Sequence, residues 1–164
     1  MNPTSNYFNL FIIGLGLILG LSACEEGAVY KQYVEWDTPV WQLDSVASFP
    51  FTINDATTTY DLSYMIRNSS EYPYYNLYTY GYILHEGDTL TAGMDDQNLL
   101  DPKTGKPLGA GIGDFFNHTF LWKEQYTFPD TGQYEFKIQQ YMRVNSLDAI
   151  EAVGFKVTEA ATAQ

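Results

Sequence analysis

The chain has 164 residues, 45% of them apolar and 16% aromatic, with 14 Tyr and 10 Phe. Eight Lys+Arg against 20 Asp+Glu give a net charge of −12, a sign repelled by nucleic acid and by anionic lipid surfaces, so a nucleic-acid partner is excluded. The apolar content excludes a disordered chain, and the aromatics favour strands, whose pleated surface suits them.

In chain order, the first feature is a run from Phe8 to Leu21 without a charged side chain. A membrane-spanning helix needs roughly 20 apolar residues, so this run better fits the apolar region of a secretory signal. It ends in Leu21-Ser22-Ala23-Cys24, a bacterial lipoprotein cleavage box holding the only cysteine. In that chemistry the thiol takes a diacylglycerol, a peptidase cuts before it, and the new amino terminus is acylated. Residues 1–7 carry no Lys or Arg, which suits a plain signal peptide or an anchor helix with an incidental cysteine. Against that, Cys24 is followed at once by Glu25, Glu26 and Gly27. The expectation is a signal peptide over 1–23 and membrane attachment through acylated Cys24, where two or more acyl chains hold durably. No internal disulfide is then available, so the core must stand alone.

Residues 24–44 are expected to form a lipidated tether leading into the domain. Order begins at Val29-Tyr30-Lys31-Gln32-Tyr33, and Trp36 and Trp41, which flank Asp37-Thr38-Pro39, fold back onto a sheet face. From 45 to 158 short strands alternate with turns. Phe49, Phe51 and Ile53 alternate with small or polar residues, as do Tyr60, Leu62, Tyr64 and Ile66, with Met65 facing the other way. Such alternation marks a strand with one buried face. Residues 74–84 carry bulky groups on both faces, fitting either a doubly covered strand or a wet face paved with tyrosine. Glu86-Gly87-Asp88 predicts a tight turn, and a stretch rich in Gly, Asp and Asn runs from Gly93 to Asn98. Strands follow around Phe120–Phe128, Tyr134–Ile138 and Val153–Val157, with a loop or single helical turn over 145–152 and a frayed tail over 159–164. The expected fold is an all-β antiparallel β-sandwich of about seven or eight strands, immunoglobulin-like or jelly-roll-like. Asp130-Thr131-Gly132-Gln133-Tyr134 has the spacing by which a tyrosine pins a sandwich corner.

The longest stretch without alternation is 101–118, and long connections of this kind are often functional. Thr104-Gly105-Lys106 lacks the phosphate-loop spacing, and Gly109-Ala110-Gly111-Ile112-Gly113-Asp114 is not a dinucleotide fingerprint. Asp95, Asp96, Asn98 and Asp101 offer oxygen ligands without the spacing of a calcium loop. With His85 and His118 as the only histidines, a zinc site would have to borrow carboxylates, and no hydrolase motif is present. No catalytic residue, metal ligand or cofactor is assigned. Candidate partner contacts are Tyr78 and Tyr80, on a strand crowded with tyrosine, and Gly109, Gly111, Gly113 and Asp114 in the long loop. Tyrosine, with an apolar body and a polar tip, suits protein interfaces and sugar-binding faces.

Taken together, several blocks resemble the gliding-motility lipoprotein family GldH of the Bacteroidota. They are the cleavage-box cysteine with Val29-Tyr30, Phe49-Pro50-Phe51-Thr52-Ile53, Tyr60-Asp61-Leu62 leading to Ile66-Arg67-Asn68 and Tyr72, and Leu108-Gly109 with Gly111-Ile112-Gly113-Asp114. After Trp122-Lys123-Glu124 come Phe128-Pro129-Asp130-Thr131-Gly132-Gln133-Tyr134 and Gln139-Gln140-Tyr141-Met142-Arg143. The resemblance implies a non-catalytic, lipid-anchored protein of the outer membrane. It would be needed for gliding and would work with other motility lipoproteins and the type IX secretion machinery. Cys24 alone takes over a defined role. The alternatives are a carbohydrate- or peptide-binding lipoprotein using the tyrosine face, and an enzyme.

Overall fold

The computed structural model describes residues 27–161; Cys24 and the rest of its cleavage box lie outside them. Among the described residues there are eleven strands and no helix. They are β1 (Ala28–Glu35), β2 (Val40–Gln42), β3 (Ala47–Ile53), β4 (Tyr60–Ser69), β5 (Asn76–His85), β6 (Asp88–Asn98), β7 (Ala110–Ile112), β8 (Phe115–Tyr126), β9 (Gly132–Gln140), β10 (Ser146–Asp148) and β11 (Ile150–Glu159).

Pairing is antiparallel and nested: β1 with β11, β2 with β10, β3 with β9, β4 with β8, β5 with β6. The chain is thus one long doubled ribbon, bent at the β5–β6 turn and rolled up. Rolling distributes the other pairs between a five-stranded sheet in the order β1-β11-β4-β8-β7 and a four-stranded sheet in the order β3-β9-β5-β6, with β2 and β10 a separate two-stranded sheet. This is the jelly-roll alternative of the two sandwiches expected. At the bend, Glu86 (φ 51°) and Gly87 (φ 91°) both occupy the left-handed region, as a two-residue hairpin turn matching strand twist requires.

The predicted alternation is what fills the interior. Phe49, Phe51 and Ile53 of β3 and Tyr134, Phe136 and Ile138 of β9 face Val153, Phe155 and Val157 of β11, all buried. The Phe155 ring lies 4.1 Å from Phe136 and 5.5 Å from Phe51, tying the two sheets at their centre. Trp122 of β8 packs across the interior on Phe136 and over Gly81, where a side chain on the glycine would crowd the Phe136 ring. Tyr64 spans the sandwich from β4, and its hydroxyl donates to the Asp95 carboxylate at 2.8 Å; burial, then that carboxylate, push its pKa up. The expected corner is present, with Tyr134 Oη donating to the Asp130 carbonyl at 2.7 Å.

Four segments differ from the sequence expectation. Residues 28–35, placed in the tether, are a full strand of the larger sheet. Trp41 and Trp36 of the same segment do pack as expected, Trp41 completely buried and Trp36 stacked on it, but on β2, which with β10 closes one end of the core. Gly93–Asn98, read only as a stretch rich in Gly, Asp and Asn, is part of β6, whose weak alternation reflects its position at the sheet edge. Within 101–118, residues 110–112 and 115–118 pair as the β7–β8 hairpin, and within 145–152 residues 146–148 form β10.

His118 of β8 is buried, stacked on Phe120, with Nε2 3.0 Å from Asn68 Oδ1. Asn68 donates its own amide to the Ser69 carbonyl, so its oxygen accepts and the neutral imidazole donates. Burial holds the His118 pKa below its ordinary value.

Two expectations follow from these contacts. Tyr134→Phe lowers stability by about 1 kcal/mol, the net worth of a buried hydrogen bond, seen as a lower urea midpoint with unchanged slope. A lowered histidine pKa means that the unfolded chain binds the proton first as pH falls below about 6.5. His118 therefore contributes full stability above that pH and loses it as pH drops through its folded value. Between pH 7 and 5.5 the urea midpoint of the wild type should fall more steeply than that of His118→Gln; parallel curves would remove His118 from the account.

Candidate functional site

Strand registers define two ends of the sandwich. Ala28 pairs with Thr158, Glu159 with Tyr60, and Tyr60 with Tyr126. At the same end Ile53 pairs with Gly132 and His85 with Tyr134. This end, the near end, is where the chain enters from Cys24. Its loops, 54–59, 86–87 and 127–131, carry Asp55, Glu86 and Asp130 and no Lys or Arg. The far end holds the longer connections: 36–46, 70–75, the β7–β8 hairpin with the loop before it, and 141–149.

Exposed apolar side chains concentrate toward the far end. Ile112, at the hairpin tip, is 93% exposed, with Leu108 and Phe115 close to it in sequence, and Tyr74, Tyr75 and Tyr141 are exposed on other far-end loops. On the smaller sheet a groove of about 770 Å³ opens toward this end, lined by Tyr74, Tyr78, Met94, Tyr141, Met142, Arg143 and Val144. That volume lies within the range of ordinary ligand pockets.

The groove is built by β5 and by the segment leaving β9. In β5, Leu77, Thr79, Gly81 and Ile83 are buried, whereas Tyr78, Tyr80 and Tyr82 line the opposite, outer face. This decides between the two readings of residues 74–84 in favour of the tyrosine-paved face. The segment after β9 is held by Gln140, which is completely buried. Its amide donates to the Val144 carbonyl at 3.0 Å, and its oxygen accepts from the Met142 N–H at 2.8 Å. Tyr141 N–H donates to the Tyr78 carbonyl at 2.7 Å. The far wall of the groove is therefore fixed by the Gln140 side chain and the Tyr141–Tyr78 backbone bond, together with the packing of Met142 and Val144 against the core. Tyr80 lies 6.0 Å from Tyr141 and 6.1 Å from Tyr82, extending the aromatic surface along the sheet. The Asp96 carboxylate, hydrogen-bonded to the Tyr78 hydroxyl, raises the Tyr78 pKa.

Of the residues singled out from sequence, Tyr78 lines this groove and Tyr80 lies beside it, against the Tyr141 ring. Gly109, Gly111, Gly113 and Asp114 lie on the other sheet's edge. Gly109 packs against the His118 ring and the Asn117 carbonyl, Gly111 lies over Phe116, and Gly113 (φ 66°) makes the hairpin turn. Asp114 accepts the Ser70 N–H through its carbonyl at 2.8 Å. Gly109 and Gly111 are used for close packing and Gly113 for the turn, and the side chains the hairpin presents outward are Ile112 and Phe115. Gln140, Met142, Arg143 and Met94 escaped the sequence reading of the site, although Gln140, Met142 and Arg143 stand in one of the blocks that carried the resemblance.

Asp95 and Asp96 point to opposite faces of β6, one to Tyr64 and the other to Asn76. Asp101 is occupied by Lys103 and Thr104 of its own turn, and these bonds lower its pKa. Among the described residues no three His, Cys, Asp or Glu side chains converge as metal ligands. His85 Nδ1 lies 2.9 Å from the Gln133 carbonyl and its ring stacks on Tyr134. Both histidines thus bond to amide oxygens.

The family model described as GldH lipoprotein matches residues 28–157, the whole sandwich from β1 almost to the end of β11. The chain is 32% identical over 157 residues to "Gliding motility lipoprotein GldH homolog" of Christiangramia forsetii, covering 92% of this chain and 94% of that protein. It is 27% identical over 158 residues to "Gliding motility lipoprotein GldH" of Flavobacterium johnsoniae, covering 92% and 96%. Among solved structures, the infectious bursal disease virus VP2 subviral particle overlays 81% of this chain and 37% of its own, with a TM-score of 0.38 and 12% identity. The Gx strain of that virus gives a TM-score of 0.30 and 10% identity. Matched along the entire sandwich, the chain belongs to the GldH lipoprotein family.

Proposed function

We propose that the protein is a lipid-anchored, non-catalytic component of the cell envelope, required for gliding motility. In this reading it assembles with or stabilises other motility lipoproteins and the type IX secretion machinery from the outer membrane. The observation that carries the reading is the spacing between the cleavage box and the fold. Only Glu25, Glu26 and Gly27 separate Cys24 from β1, a reach of about 14 Å when fully extended. An acylated Cys24 would hold the near end against the bilayer and turn the far end outward. The near-end carboxylates oppose anionic headgroups, so adhesion would rest on the acyl chains, and the sandwich would stand off the surface. Confinement to this layer raises the effective concentration of the domain for other anchored proteins. Both relatives carry names that denote gliding lipoproteins.

In a strain lacking the protein, wild type should restore colony spreading and incorporate labelled palmitate, whereas Cys24→Ala should do neither. A Cys24→Ala protein that is unlabelled, reaches wild-type abundance and restores spreading would refute the anchoring role.

A further inference from the structure

The groove beside β5 has a chemistry more specific than exposure alone. Tyr74, Tyr78, Met142 and Val144 give it apolar and aromatic walls, and Arg143 is its one charged lining residue. Arg143 is exposed, and among the described residues it has no carboxylate partner. In a chain with 20 acidic and eight basic residues, an unpaired guanidinium beside aromatic rings is a point of complementarity for an anion. Guanidinium binds carboxylate through paired N–H donors, and weak hydration lets it work at an apolar surface. The polar equipment is otherwise slight, being the tyrosine hydroxyls, one of them already held by Asp96. A hydroxyl-rich glycan would leave many of its groups unanswered there, whereas alternating apolar and acidic side chains would not. The groove also runs along an extended strand, and its wall is preset by Gln140, so little ordering cost falls on binding.

We propose that this groove docks an extended segment of a partner protein in which a carboxylate side chain is flanked by apolar ones. The carboxylate pairs with Arg143, and the apolar neighbours lie between Tyr74, Tyr78 and Met142. The proposal rests on the reading of the protein as a binding component, and it names the surface and the chemistry of the partner.

The test uses the full-length protein purified from membranes in detergent and a short fluorescein-labelled peptide of alternating leucine and glutamate, followed by anisotropy. Saturable binding is expected, weakened about tenfold or more by Arg143→Glu, a loss equivalent to about 1.4 kcal/mol or more. Binding should fall several-fold with Met142→Ala and stay unchanged with Leu121→Ser on the other sheet. Because Arg143 is exposed, its variant should keep the wild-type urea midpoint. The proposal is overturned if a control peptide of alternating leucine and lysine binds as well, if neither peptide binds, or if Arg143→Glu leaves binding intact. It is equally overturned if a neutral glucan oligosaccharide occupies the groove and the acidic peptide does not, or if the groove is filled by a second copy of the chain. Any of these results would remove the groove assignment and leave the Cys24 experiment standing on its own.

Discussion

The pairing of β1 with β11 is the constraint on which the rest depends. Tyr30 opposes Val157 and Glu35 opposes Ala152, so the first described strand is hydrogen-bonded into the larger sheet from its start. An edge strand held over this length cannot swing, and it fixes the end of the sandwich at which the chain arrives. Its residues also belong to the packing. The Tyr30 ring lies 5.7 Å from Phe51 and 6.1 Å from Phe155, while Tyr33 and Met65 converge over Gly154, whose missing side chain leaves them room. Detaching β1 would uncover the core, so a force applied at the amino terminus is transmitted to the whole body.

Tyrosine plays two separable parts around that body. Inside, ring and hydroxyl are used together: Tyr60 donates to the Asp55 carbonyl, Tyr72 to the Asn76 carbonyl and Tyr134 to the Asp130 carbonyl. Each buries an aromatic ring while tying down a turn at the rim of the sandwich. A buried phenol without such a partner would cost more than its ring gains. Outside, Tyr78, Tyr80 and Tyr141 form a surface with no structural debt to discharge, next to the one charged group of the groove. A domain without disulfides thus combines a rigid interior with a preformed apolar groove at the end remote from where the chain enters.

Much of this was legible in the sequence because alternation is a direct consequence of burying one sheet face. The strands around Phe49–Ile53, Tyr60–Ile66, Tyr134–Ile138 and Val153–Val157 follow from it, as do the Glu86-Gly87 turn and the Tyr134 corner. What escaped was decided by neighbours rather than by local pattern. β1 and β6 are sheet edges, where burial is partial and the period fades. β7 is only three residues long, and its one glycine, Gly111, read as loop, lets Phe116 pack closely. The groove was half visible: Tyr78 and Tyr80 stood out by crowding. Met142 and Arg143 acquire their place only through the buried amide of Gln140, a contact no periodicity announces.

Attachment through Cys24 would orient the sandwich with its near end on the bilayer, and a depth measurement reads that orientation. With Cys24 acylated, single cysteines introduced by Thr131→Cys at the near end and Ile112→Cys at the far end are unique labelling sites. Nitroxides at these positions, in the lipidated protein reconstituted into vesicles, can be read against a relaxation agent carried on the lipid headgroups. The account predicts strong relaxation at position 131 and a label at position 112 about 30 Å farther from the bilayer, the length of a ten-residue strand. Equal relaxation at the two positions, or stronger relaxation at 112, would contradict it.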